Sequence, residues 1–443
     1  MSDKRERGPA AAPDRIAPGD RPDRSAPRDR PDRDEEVVDA RGLLVLPGAI
    51  DPHVHFDEPG YTDREDFLHG TSAAASGGVT TVIDMPCTSV PPVTSADNLN
   101  AKLAVVSKRA VIDYGLYGGV SGQLLDQDAR EAIESLAPHV LGFKCYFISG
   151  METFARVDHR QFEEVLRIAR SVDRPVLLHA EDYDYVSRAT AIAQRAGNGP
   201  TEYHDSRPAE AEVLAVLAAA RLARETGADL HIVHVSTGRA AQIIGETPGV
   251  TGETGPHYLA FSLSDFISMG SPLKVTPPVK PEPNREQLWR ALVDGSLSFV
   301  ASDHAPAPAK QKHTGSIWTD YAGIPGSGTL LPYLFSEGYR AGRLTLQQLL
   351  SLTAGNAARR YGIDHRKGAL AVGRDGDCVL IDPTAEWTVR GDDFLSKGKI
   401  TPFEGMTLQG RISRTVMRGT VVYDRECGIR VKPGHGQQLR RAE

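Results

Sequence analysis

Residues 43–55 read LLVLPGAIDPHVH: an apolar run, a Pro-Gly step, a second apolar pair, and then two histidines separated by one residue. A run this short that ends in cation-binding groups has the length of a strand buried on both faces with its tip at a site. Seven stretches of the same texture follow: VTTVIDM (79–85), AVIDYGLYG (110–118), VLGFKCYF (140–147), RPVLLHA (174–180), ADLHIVHVS (228–236), VTGET (250–254) and LSFVASD (297–303). They are continuous rather than alternating, as expected of parallel strands covered on both faces. Helical segments lie between them, with HRQFEEVLRIARSV (159–172) and PAEAEVLAVLAAARLARETG (208–227) the clearest. Eight strands, each followed by helical or long-loop material, predict an α/β chain built on a (β/α)8 TIM-type barrel. An open doubly wound sheet is the alternative, but no Gly-rich phosphate loop follows the first strand.

The flanks read differently. Residues 1–35 are built from Pro, Asp, Arg and Ala with almost nothing to bury, which predicts a disordered tail. After the barrel, residues 356–382 pass from a helix into short strands, and TLQGRISRTVMRGTVVYD (407–424) adds more strands with Gly turns. These predict a small accessory β-sandwich-like domain formed by residues 36–48 and 365–430. The barrel domain then spans 49–364, and 431–443 form a C-terminal tail. Further strands of the small domain are expected before the first barrel strand, where this chain carries its low-complexity segment.

The formal net charge of -7 over 443 residues argues against a nucleic-acid partner, which calls for a basic face. No run reaches the 18 or so apolar residues of a membrane span, and the N-terminus lacks the apolar core of a signal peptide. Cys87, Cys145, Cys378 and Cys427 are scattered without a Cys-x-x-Cys pair, which suits free thiols in a reducing cytoplasm.

Catalytic groups of such a barrel project from the C-terminal ends of its strands. There the sequence places His53 and His55, Lys144, His179, His234 and Asp303. His53 and His55 share a strand face, so both imidazoles can reach one ion. Singly, each group has an ordinary reading: a core histidine, a loop cap, a lysine snorkelling to solvent. Six at one mouth, from five strands, point to a metal centre. His231, three residues before His234, is expected on the opposite face and without a role. An ammonium is a poor ligand, but a Lys144 amine converted by CO2 to a carbamate offers two oxygens that can bridge two cations. One ion would then have His53, His55, the carbamate and Asp303, and the other the carbamate, His179 and His234.

The segments AIDPHVHFDEPG, GGVTTVIDMP, GFKCYF, LLHAE, HIVHVS, GETGPHYL and VASDHAP resemble, in this order, motifs of the cyclic amidohydrolases of the amidohydrolase superfamily. That group contains allantoinases, dihydroorotases and hydantoinases, and the resemblance runs from about Val37 to Tyr423. It implies a carboxylated Lys144, two divalent metal ions (zinc, with manganese, cobalt or iron as alternatives), Asp303 as proton shuttle and a small cyclic amide as substrate. It also implies a homo-oligomer, dimer or tetramer, and places His257 and the backbone of Gly323 and Ile324 in GIPGSG (323–328) against the substrate. Some inactive relatives keep the fold as scaffolds while losing ligands; this chain keeps the whole set.

Dihydroorotases read a substrate carboxylate with an Arg directly after the His-x-His-x unit and an Asn after Met-Pro. Here those positions hold Asp57 and Cys87. Ionised Asp57 would repel a carboxylate and suits a neutral ring with N–H donors, such as the ureide allantoin. The expectation is therefore an allantoinase-like hydrolase, with dihydroorotase second and D-hydantoinase third. Lys280 and Arg64 remain cations able to compensate Asp57.

Overall fold

The computed structural model describes residues 37–442; the segment 1–35, read as a tail, lies outside the described residues. The opening run is not one strand but two. β1 (Leu44–Pro47) and β2 (Ala49–Val54) are separated at Gly48 and belong to different sheets. A side chain at Gly48 would come within 2.4 Å of Thr80 Cγ2, so only glycine lets the chain pass the neighbouring strand this closely.

β2 pairs in parallel with β3 (Val79–Asp84), and β3 with β4 (Asp113–Leu116). β4 and β5 (Gly118–Gly119) are one strand interrupted at Tyr117, whose N–H still donates to Asp84 on β3 at 3.1 Å. The parallel series continues through β6 (Phe143–Tyr146), β7 (Val176–His179), β8 (Leu230–Ile232), β9 (Val250–Thr254) and β10 (Phe299–Val300). The ring closes where Val54 bridges His304 in parallel, with the His55 N–H donating to the His304 carbonyl at 2.8 Å. Counting the interrupted strand once gives the eight strands of a (β/α)8 barrel. Every residue of β2, β3, β6 and β7 is buried, the reason these segments read as continuous apolar runs.

Helix Ala209–Thr226 shows how the outer layer packs. Ala211, Ala215, Ala219 and Ala223 form a buried stripe at helical spacing, and Gly227 ends the helix in the left-handed conformation at φ 65°. Helix His159–Ser171 carries a capping box from Asp158 and Gln161 and buries Phe162, Val165, Leu166 and Ala169.

The accessory strands form one five-stranded antiparallel sheet in the order β1, β11 (Cys378–Thr388), β12 (Thr407–Met417), β13 (Thr420–Asp424), β14 (Gly428–Ile429). Register shifts bend the long β11–β12 pair. A buried ionic clip joins the segment entering this sheet to the barrel: Lys367 Nζ lies 2.7 Å from both Asp113 on β4 and Asp377, and 2.9 Å from Asp375. The last residues, expected as a tail, run along β4 instead. Leu439 is buried, its N–H donates to the Tyr114 carbonyl at 2.7 Å, and Tyr114 N–H donates to Gln437 at 3.0 Å. Among the described residues, no helix is long and apolar enough to cross a membrane.

Candidate metal centre and cleft

His53 lies on β2 and His55 just beyond it; Lys144 lies on β6 and His179 ends β7. His234 and Asp303 sit past the ends of β8 and β10 in the left-handed region, at φ 40° and 50°. Such backbone is costly for residues with a side chain and persists only where neighbours enforce it. Around Asp303 the enforcement is visible. Ser302 gives its N–H (3.0 Å) and hydroxyl (2.5 Å) to Asp51 on β2. His304 Nδ1 accepts the N–H groups of Gly326 and Ser327 at 3.2 Å each, while its Nε2 faces Glu65 at 3.2 Å.

Asp303 Oδ1 is 3.2 Å from His53 Nε2 and 3.3 Å from His55 Nε2. One ligand atom from each of the three lies within 4.8 Å of the others, so the group can hold a divalent cation. His179 Nδ1 and His234 Nε2 are 2.9 Å apart with ring centroids at 4.6 Å, close enough for both nitrogens to serve one ion. Lys144 is fully buried, its Nζ has no hydrogen-bond partner, and it lies over the Tyr146 ring, 4.6 Å from the centroid. Burial pulls its amine down to about 8; burial also lowers the basicity of His53, His179 and His234, and the Lys144 charge adds to that lowering. The buried His53 Nε2 and His234 Nδ1 also lack partners. Orphaned donor atoms of this kind at one barrel mouth fit a metal centre.

Two carboxylates stand behind the histidines. Glu253 on β9 holds His53 Nδ1 at 2.5 Å, and Glu181 holds His179 Nε2 at 2.8 Å. Burial opposes charge on Glu181, but Arg207, paired with it, and His179 prevail and keep it ionised down to about 2. Sequence reasoning singled out neither residue, although each lies in a motif it quoted, LLHAE and GETGPHYL. The available signal was an acidic residue at a buried strand end.

His231 is not idle. Its Nε2 lies 3.2 Å from the second oxygen of Glu253, and its Nδ1 pairs with Thr251 at 2.8 Å. The opposite-face expectation assumed a strand running from His231 to His234. β8 stops at Ile232, and the left-handed turn at His234 breaks the alternation.

A cleft of about 290 Å³ opens over the centre. His55, His179, His234 and Asp303 line its floor, and Arg64, Cys87, Tyr146, Arg207, Tyr321 and Gly323 its walls. Cys87 Sγ lies 2.9 Å from the Tyr146 hydroxyl and 3.9 Å from His55 Nδ1. The other predicted contacts lie deeper. Asp57, at φ 54°, turns inward and is fully buried behind the wall with neither carboxylate oxygen hydrogen-bonded. His257 is buried with both ring nitrogens unpartnered, within reach of the Asp303 charge. Lys280 Nζ donates to the Arg207 carbonyl at 2.6 Å, away from the cleft. Gly323 spends its N–H on the Lys274 carbonyl and its C=O on Lys312, and the buried Ile324 gives its carbonyl to Ala305.

Known proteins resemble this arrangement. A profile described as the Amidohydrolase family matches residues 44–422. The chain is 39% identical over 399 residues to a protein named allantoinase from Rubrobacter xylanophilus, covering 88% of this chain and 86% of the relative. A second allantoinase, from Solibacter usitatus, is 38% identical over 409 residues, covering 91% and 88%. Among solved structures, an L-hydantoinase (dihydropyrimidinase) from Arthrobacter aurescens superposes with a TM-score of 0.87 at 30% identity, covering 91% of this chain and 90% of that one. A dihydropyrimidinase from Brevibacillus agri NCHU1002 gives 0.86 at 32%, covering 94% and 92%.

Proposed function

The chain belongs to the amidohydrolase family, and on that premise we propose that this cyclic amide hydrolase opens a ureide ring, with allantoin as its substrate. One observation carries the reading: His53, His55 and Asp303 converge with the unpartnered amine of Lys144 and the His179–His234 pair at one barrel mouth. The allantoinase relatives support the choice of ring.

His53, His55, Asp303, His179 and His234, together with a carbamate formed on Lys144, would hold two divalent cations, with zinc the metal we assign. When bound, the cations supply Lewis acidity that acidifies water near neutral pH and polarises the ring carbonyl. The protein's own groups do the rest. Glu253 and Glu181 each accept one imidazole N–H, so that His53 presents Nε2 and His179 presents Nδ1 to the centre. The Asp303 carboxylate accepts the proton of the attacking water and returns it to the ring nitrogen as the C–N bond breaks. The product carries a carboxylic acid, which loses its remaining proton to solvent, and a ureido NH2, and Asp303 ends the cycle ionised. Asp303 is held well below the ordinary carboxylate range despite its burial, chiefly by His53 and His55.

In the same reading residues 49–364 are the catalytic domain, and 36–48 with 365–430 the accessory β domain. The protein is a cytoplasmic homo-oligomer, dimer or tetramer; its four cysteines are free, which fits a reducing compartment. A hydantoinase activity is the second reading, favoured by the two superposed structures. Assays of the zinc- and bicarbonate-loaded protein on allantoin, hydantoin, dihydropyrimidines and dihydroorotate, with metal analysis and peptide mass at Lys144, test both. Hydrolysis of allantoin ahead of the others is expected; no turnover of any ring would refute the proposal.

A further inference from the structure

Two arginines line the cleft wall, and their surroundings differ. Arg207 is committed to Glu181. The Arg64 guanidinium lies between two aromatic faces, 4.3 Å from the Tyr61 centroid and 4.8 Å from that of Tyr321. Its buried Nε has no hydrogen-bond partner, and its nearest carboxylate oxygen, on Asp57, is 4.0 Å away. That distance is too long for a hydrogen bond; burial pushes the Asp57 carboxyl up to about 7, and the Arg64 cation opposes this by favouring the ionised form. The two ring faces and a side-chain hydrogen bond to Tyr321 fix the plane of the guanidinium while its Nε–H stays unspent, so the group is oriented before a ligand arrives. Both oxygens of Asp57 are buried and unpartnered behind it.

We propose that Arg64 reads the substituent carried by the ring, donating hydrogen bonds to a pendant carbonyl oxygen, while Asp57 behind it offsets the charge so that an uncharged ureido arm is preferred to a carboxylate arm. This rests on the ring-opening reading above. Asp57 thereby acts on the substrate through Arg64 rather than by contact.

The test compares kcat/KM of metal-loaded parent, Arg64→Met, Arg64→Lys and Asp57→Asn proteins, at matched metal content, on three rings: hydantoin, its ureido derivative and its carboxymethyl derivative. Arg64→Met keeps an apolar stem between the tyrosines. It is expected to lower the ureido-to-hydantoin ratio about 10- to 100-fold, the size of a lost hydrogen bond to a charged donor, mostly through KM. Arg64→Lys restores part of the ratio. Asp57→Asn leaves Arg64 uncompensated and raises the carboxymethyl-to-ureido ratio by about tenfold or more. Parallel losses on all three rings in Arg64→Met, or an unchanged ureido-to-hydantoin ratio, overturn the proposal while leaving the ring-opening reading intact. A parent that opens none of the rings sinks both.

Discussion

Glu253 offers a perturbation whose size can be worked out in advance. Its carboxylate is buried, with one oxygen 2.5 Å from His53 Nδ1 and the other 3.2 Å from His231 Nε2. Replacing it by Leu leaves two imidazole N–H groups buried without acceptors. At about 1–3 kcal/mol for each orphaned group, the metal-free protein should lose roughly 2–6 kcal/mol of stability. Glu253→Gln is gentler, because its carbonyl oxygen still faces His53. What it removes is the charge that makes His53 a stronger donor, and such outer partners are worth about 10- to 100-fold in metal affinity. That corresponds to about 1.4–2.8 kcal/mol at 1.4 kcal/mol per tenfold. Chelator competition with zinc on the stripped protein measures the affinity, and urea unfolding of the same preparation measures the stability. His231→Phe, which can keep the stack on Phe299 at 5.0 Å, should weaken zinc less, and its effect should shrink in the Glu253→Leu background. Parent-like zinc affinity and stoichiometry in Glu253→Gln would refute the idea that Glu253 tunes His53.

Three further outcomes are expected. Lys144→Ala should lose bound metal and ring-opening activity together, by elemental analysis and assay, and an active variant would rule out a bridging Lys144. Asp303→Asn, which keeps the shape but cannot accept the proton, should lower kcat by at least about 10²-fold while the substrate still binds by calorimetry. Burial, aided by Lys274, brings Lys312 from 10.5 down to about 7. Between those values the unfolded chain holds the extra proton, so stability rises with pH, by at most about 1.4 kcal/mol per unit for this one group. In Lys312→Met the slope of unfolding free energy against pH above 7 should be correspondingly shallower, and an unchanged slope would mean that Lys312 titrates normally.

The barrel was legible because strands buried on both faces read as predominantly apolar runs, and every residue of β2, β3, β6 and β7 is buried. The break at Gly48 was not. Apolar residues run on either side of it, and only the pairing of β1 with β11 and of β2 with β3 shows that the chain changes sheets there. Near the centre, period-two counting worked while the residues remained in strands and failed beyond them. His231, expected to have no role, pairs with Glu253, and Asp57, expected to meet the ring, is fully buried at φ 54°. Glu181 and Glu253 declare themselves only through partners on other strands, information that no local window of sequence contains.

The Val54–His304 bridge joins the first barrel strand to the segment after the last. His53 and His55 therefore meet Asp303 only once the chain has come full circle, and a protein refolded up to its seventh strand has no complete centre to load. Recovery of zinc binding during refolding should lag behind recovery of helical signal. A cation arriving early, by favouring the closed ring over the open one, would act as a latch on a contact between stretches far apart in the chain.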